Sequence, residues 1–356
     1  MTTTTTPATQ PATTNRVSRD YEKPLWRRVL LTREMAIVAL LVLVVAYAML
    51  TVRGFAQPIT LNYLLLDIAP ILLIALPMTL VMITGEIDLS VGSMVGLASV
   101  VTGAGVHAGL PFELAAVLAL LVGAIGGAFN GFLVTVVGLP SLAVTIGTLA
   151  LFRGLAVGLL GTTAVTDFPE GWTALAKAKI AGTTIPYIMI PFLILLVIFV
   201  VVLHFTPFGR GIYAIGQSKD AARFSGVHLE RTKFLLFMAA GLVAAFAGVF
   251  YTLRFGSARG DNATGLELQV IAAVVLGGVS VFGGRGQLYG VVAAVLLIGV
   301  LSSALRLANV TSDVINVITG TLLVVSVVSA SLLAWLQKVR RRRSGPVSSV
   351  AAPTAS

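Results

Sequence analysis

The sequence predicts an all-α, polytopic membrane protein with about ten transmembrane helices, and three observations carry that reading. Only 11% of the residues are charged while 57% are hydrophobic, against about 25% charged in a soluble domain. A chain so poor in charge cannot cover its own surface for water and needs the bilayer as solvent, as its mean hydropathy of +0.99 also says. Apolar runs of span length recur along the chain, and lysine and arginine gather on alternate connections between them.

Residues 1–34 form a Thr/Ala/Pro-rich and then basic tail that cannot build a core and is expected to be disordered. The first apolar run is 35–52. Ala46-Tyr47-Ala48 imitates a signal-peptide cleavage site, but it lies inside the run and not after it, which favours an uncleaved first span. Further runs at 62–83, 88–109, 113–136, 141–161, 184–204, 233–253, 268–282, 287–307 and 314–335 complete ten. The eighth is short for a full crossing and reads as a half or re-entrant helix. Residues 35–337 are thus one transmembrane domain, and 338–356 a basic, disordered tail.

An even number of spans puts both termini on one side. Taking that side as cytoplasmic collects seventeen of the 24 Lys and Arg, including Arg27, Arg28, Arg210, Lys219, Arg223, Arg285 and the run Arg340 to Arg343. Six fall on the opposite side and Arg153 lies within a span. The basic residues flank apolar runs instead of forming a stripe on a soluble domain, so the net charge of +10 marks topology and not nucleic-acid binding. The absence of cysteine excludes disulfides and thiolate chemistry, and the three histidines show no metal-ligand spacing.

Several residues stand out within this frame. Pro70 and Pro77 each remove a backbone donor and predict a kinked or proline-broken second span, either a packing feature or the wall of a path. The turn Thr84-Gly85-Glu86-Ile87-Asp88-Leu89-Ser90 places two carboxylates at the mouth of the third span. Asp88 is expected to cap that helix or to serve transport, and Ser90, Gly92, Ser93 and Gly96 give it a small-residue face. Gly123, Gly126, Gly127, Asn130 and Gly131 make another such face, whose amide either bridges helices or meets a wet pathway. Arg153 requires a carboxylate, carbonyls or water. Outside, 173–179 is expected to form a short interfacial helix with Trp172 as a headgroup anchor. The cytoplasmic connection, about 205–232, holds a short helix between Ser218 and Gly226; by residue pattern alone it is either a solvated loop or a docking element for a partner.

Three segments in order resemble the permeases of the ribose-type branch of bacterial ABC sugar importers. They are Glu86 to Ser93, close to that family's G-G-I-D-L-S-V-G; the loop from Gly209 to Gly226; and the glycine-rich stretch from Ala272 to Gly286. Glu86 departs from the pattern, where glycine is frequent. The resemblance spans about 35–337. It implies two permease chains, identical or closely related, two ATPase subunits that bind the ATP, and an extracytoplasmic substrate-binding protein. It further implies that Gly216, Asp220, Ala221, Ala222 and Gly226 belong to the helix that docks into the ATPase. No G-x-x-x-x-G-K-[ST] occurs, so the chain is expected to be no enzyme and to bind no cofactor itself. Candidates for the path of a neutral, sugar-like solute are Asp88, Ser93, Asn130, Thr145 and Asn262. An ion-coupled carrier is the competing reading; it would need ionisable groups at mid-depth, whereas the acidic residues cluster near span ends.

Overall fold

The computed structural model describes residues 32–311 and 313–321, with positions 324 and 328 beyond; the two tails and most of the tenth run lie outside these residues. The described residues form twelve named helices: α1 (Arg33–Thr51), α2 (Pro58–Ile83), α3 (Val91–His107), α4 (Phe112–Thr135), α5 (Ser141–Leu160), α6 (Glu170–Lys177), α7 (Met189–Phe205), α8 (Pro207–Gln217), α9 (Lys219–Phe224), α10 (Leu229–Phe255), α11 (Leu266–Leu276) and α12 (Leu288–Leu307). Residues 313–321 are also helical. Six helices are long and apolar enough to cross a membrane, namely α1, α2, α4, α5, α10 and α12. The bent pair α7 and α8 makes a seventh candidate, and α3 and α11 are shorter apolar helices.

The bundle is sorted for lipid. Leu43, Tyr47 and Leu50 on α1, Ile125 on α4 and Ile194 and Val197 on α7 face outward, while Thr79, Ser93, Ser99, Thr102, Asn130 and Thr148 are buried. A solvent as apolar as leucine gives no reward for hiding leucine, so packing rests on small residues and internal polar bonds. Helix α10 packs most extensively on α4, then on α3 and α2. At α4, Gly127 and Gly131 lie directly against the backbone of α10 at Met238 and Phe234, where a Cβ would come within 3.0–3.1 Å. The small-residue face expected on this span is therefore the helix–helix seam.

Helix α2 sits at the centre, almost wholly buried, with α7, α10, α11 and α12 around it. It corrects the expectation of a proline-broken span, because the helix runs unbroken through Pro70 and Pro77. Each proline removes one donor, leaving the carbonyls of Leu66 and Leu73 without their usual partner. Surrounding helices hold the segment, which is how membrane helices tolerate such losses. The eighth run does form a half-length helix: α11 has 11 residues, about 16 Å against a hydrocarbon core of about 30 Å. It stops at Gly277 and Gly278, the latter at φ +97°.

Candidate functional site

The turn between α2 and α3 is held by side chains from three helices. Gly85, at φ +80°, closes α2, and the chain then runs without regular structure to Ser90, the residue before α3. Asp88 Oδ1 accepts bonds from Ser90 N (2.9 Å) and Ser90 Oγ (2.7 Å). Ser90 Oγ accepts from Asn130 Nδ2 of α4 (2.8 Å), and Ser93 Oγ donates to Ser90 O (2.8 Å). From α5, Ser141 Oγ accepts from Ile87 N (3.2 Å) and Thr145 Oγ1 donates to Ile87 O (3.3 Å). Asp88, Ser93, Asn130 and Thr145 are thus brought together, all buried, around one turn. Asp88 does not cap the first turn of α3 as expected: the helix begins at Val91, and a side chain at position 88 reaches only the N–H two residues on.

The loop after α7 is built from two helices. The chain bends by 69° between α7 and α8. Thr206 caps α8, with Gly209 N donating to its Oγ1 (3.2 Å) and Pro207 entering the first turn. Ser218 then caps α9, where Ala221 N donates to its Oγ (3.3 Å), and Gly226 at φ +81° turns the chain toward α10. Ala222 is buried with Ile215 and Leu229, anchoring α9 to the bundle. Asp220, Ala221 and Gly226 face outward, and Phe224 is 92% exposed. In Phe224 the short helix presents an aromatic side chain to whatever lies beyond the bundle.

Gly216, at the end of α8, touches the two other connections. A Cβ there would overlap Ile83 O and Gly284 N and lie 2.9 Å from Gly284 Cα. Gly284 N donates to Ile83 O (2.8 Å), and Tyr213 Oη donates to Gly286 O (2.8 Å). Gly283 and Gly284, at φ +83° and +74°, shape a turn whose tip exposes Phe282 (90%). The three segments singled out in the sequence therefore meet at one corner of the fold.

An ion cluster reinforces that corner. Glu86 Oε1 accepts from Lys233 Nζ on α10 (2.5 Å) and from Lys219 Nζ, the first residue of α9 (3.1 Å). Burial, the largest single influence, opposes ionisation of Glu86. The hydrogen bonds from Lys233 and Ser141 and the two lysine charges outweigh it, holding the carboxyl below its ordinary range. Burial likewise works against the Lys219 ammonium, but its bond and charge attraction to Glu86 raise its pKa overall.

At the other end of the bundle lies a polar cleft of about 550 Å³, lined by Asp67, Tyr251, Asp261, Asn262, Thr264 and Gln269 among others. Asp67 pairs there with Arg254 (3.2 Å) and Arg306 (3.4 Å). Asn262 is not bonded to the other four path candidates but lies against α3 a turn or two beyond Ser93: its backbone carbonyl oxygen would stand 2.9 Å from a Cβ on Gly96, and its Nδ2 donates to Ser99 Oγ (2.9 Å) and Ser257 O (3.0 Å). Arg153 finds its partners nearby, donating from Nη1 to Gly260 O (2.8 Å) and Asn262 O (2.7 Å). Trp172, in α6, packs against Phe112 in a tilted arrangement with centroids 5.0 Å apart and donates to Glu113 Oε1 (3.0 Å), fastening the outer helix to α4. Among the described residues no group of His, Asp and Glu could hold a metal ion.

Residues 60–327 match the family described as the branched-chain amino acid transport system permease component. The chain belongs to this family. Its relatives include the autoinducer 2 import system permease protein LsrD of Escherichia coli K12, 37% identical over 328 residues that cover 88% of this chain and 98% of that one. The protein of the same name from Photorhabdus laumondii is 36% identical over 328 residues, 87% of this chain and 96% of its own. No solved structure is significantly similar. The chain is an ABC importer permease, a multi-pass protein of the bacterial inner membrane, which works with an ATPase and a substrate-binding protein and has no ATPase site of its own.

For such a permease, the sequence reading missed the pairing of Glu86 with Lys219 and Lys233. Both lysines entered it only as topology signals. A lone carboxylate facing a basic loop was the available sign. The carbonyl partners of Arg153 carry no sequence signal, because backbone atoms are the same in every residue.

Proposed function

We propose that this permease carries a small, neutral, sugar-like solute into the cytoplasm by alternating access, through ten spans with both termini cytoplasmic. The observation that carries the substrate class is the end-to-end match to permeases named for autoinducer 2 import. The polar cleft of about 550 Å³, with its amides and hydroxyl, suits a polyol. It receives Asn262 as the path residue best placed to meet solute. The exposed face of α9, with Asp220 and Ala221, docks on the ATPase, while Gly216, Ala222 and Gly226 shape and seat that helix.

The ten-span register draws support from which segments touch. Gly216, Gly284 and Ile83, and likewise Glu86 and Lys219, join stretches that the charge pattern puts in the cytoplasm. Val165 pairs with Ala258, Trp172 with Glu113 and Arg306 with Asp67, all on the opposite side. A second permease chain, identical or closely related, completes the translocation unit.

The test is purification of the tagged chain from its native cells, followed by uptake of labelled autoinducer 2, ribose and leucine in parallel. A P-loop ATPase at near-equal stoichiometry, with ATP-dependent uptake of a sugar-like probe but not of leucine, is expected. Uptake of leucine alone would overturn the substrate class, and uptake that an uncoupler abolishes without ATP depletion would overturn the ATP-driven mechanism.

A further inference from the structure

Helix α9 is tied by the chain to α8 on one side and to α10 on the other, so any push on it reaches α7 and α10 directly. The start of α3 lies on another part of the chain, more than a hundred residues away. Besides the packing of α10 on α3 and α4, a direct bond joins α9 to the turn before α3 at one carboxylate oxygen: Glu86 Oε1 holds Lys219 of α9 and Lys233 of α10 together. We infer that Glu86 is a positioning residue for coupling, fastening α9 through Lys219 to the turn that carries α3, so that displacement of α9 reaches α3, α4 and α5 as well. The inference rests on the docking role of α9 proposed above.

Three features distinguish this contact from an ordinary surface pair. Exposed ion pairs are easily exchanged for water, but the Glu86 side chain is only 9% exposed and has little access to that exchange. Lys233, equally buried, keeps the carboxylate charged and fixed on α10. Immediately after Glu86, the backbone of Ile87 is bonded at both its N–H and its carbonyl to Ser141 and Thr145 of α5. Asp88 and Ser90 then bind Asn130 of α4 into the same turn. A displacement of Glu86 therefore cannot be absorbed locally; it is handed to the first residue of α3 and to two neighbouring helices. Lys219, with its side chain 57% exposed, is the part of the cluster that can be altered without opening the bundle. The backbone contact of Gly216 with Ile83 and Gly284 sets α8 beside the same turn, so the clamp acts across a joint already in register.

The experiment uses the full permease–ATPase complex in mild detergent and hydrogen–deuterium exchange, with and without ATP and vanadate. In the unaltered complex, nucleotide is expected to change exchange both in 209–226 and in 84–90. Lys219→Ala should keep the ATPase bound and keep the response of 209–226, but lose that of 84–90; Lys219→Arg should restore it. Glu86→Gln should abolish the response of 84–90, with no further effect of Lys219→Ala on top. A response of 84–90 in Lys219→Ala equal to that of the unaltered complex would overturn the clamp. So would loss of the ATPase from Lys219→Ala, which would make Lys219 a docking residue. Failure of the unaltered permease to retain any ATPase would instead overturn the coupling reading beneath it.

Discussion

Gly216→Ala is the smallest change that reaches the corner where three connections meet. The added Cβ would overlap Ile83 O and Gly284 N and stand 2.9 Å from Gly284 Cα, whereas carbon atoms rest at about 3.5–4.0 Å. All three neighbours are backbone atoms, so no side chain can swing aside. Relief requires moving α8 away from α2 and from the glycine turn, which strains or breaks the 2.8 Å bond from Tyr213 Oη to Gly286 O. Overpacking of this kind costs about 1–3 kcal/mol, and the lost bond about 0.5–1.5 kcal/mol. The expected sum, about 1.5–4.5 kcal/mol, should lower the thermal midpoint of the detergent-purified protein and speed exchange of the segment around Gly284. Uptake should fall with it. Gly147→Ala is the matched control: nothing lies within 4 Å of its Cβ and its φ is not positive, so the change should be neutral or slightly stabilising, as Ala is favoured over Gly within a helix. If Gly216→Ala matched the Gly147→Ala control in midpoint, exchange and uptake, the close approach of α8 to α2 would be refuted.

Two further outcomes follow from buried charge. Lys233→Met should destabilise the protein by about 3–5 kcal/mol, since it leaves Glu86 buried with only the exposed Lys219. Adding Glu86→Gln should recover much of that loss, and thermal midpoints of the single and double variants compare the two. Arg153→Met leaves the carbonyls of Gly260 and Asn262 without their charged donor, a loss of about 1.5–3 kcal/mol per bond. Limited proteolysis should then cut the 256–265 segment sooner, while α5 itself stays intact.

What could be read in advance was what depends on composition and local chemistry. Charge scarcity set the solvent, and runs of apolar residues located the helices to within a few positions. Ser218 and Gly226 marked the ends of α9 because capping is a property of a residue and its near neighbours. Pro70 and Pro77 misled because their local effect is destructive, and the burial that overrides it comes from four other helices. Arg153 showed its need for a partner but not the partner. Glu86 stood out as a departure from the family pattern, yet its role depends on Lys219 and Lys233, more than a hundred residues away.

Buried polar residues in a membrane bundle invite two competing explanations, a wet path or internal glue, and hydrogen-bond accounting separates them here. Asp88 Oδ1 is occupied by two bonds from Ser90, and Ser90 Oγ also accepts from Asn130. Thr145 spends its hydroxyl on Ile87 O, and Ser93 spends its own on Ser90 O. Asp88 Oδ1, Ser90, Ser93 and Thr145 could meet a solute only by releasing the turn that starts α3, whereas Asn130 Oδ1 is buried without a hydrogen-bond partner. Asn262 is also bonded, but to Ser99 and Ser257 beside the polar cleft, with Asp261, Thr264 and Gln269 close by. A sugar-like solute needs donors and acceptors that it can borrow without unfolding the host. The cleft around Asn262 offers several at its surface, while the turn around Asp88 offers the buried carbonyl oxygen of Asn130. The two regions therefore divide the labour proposed for this permease: the first meets the solute, and the second, clamped by Glu86, transmits the movement that lets it through.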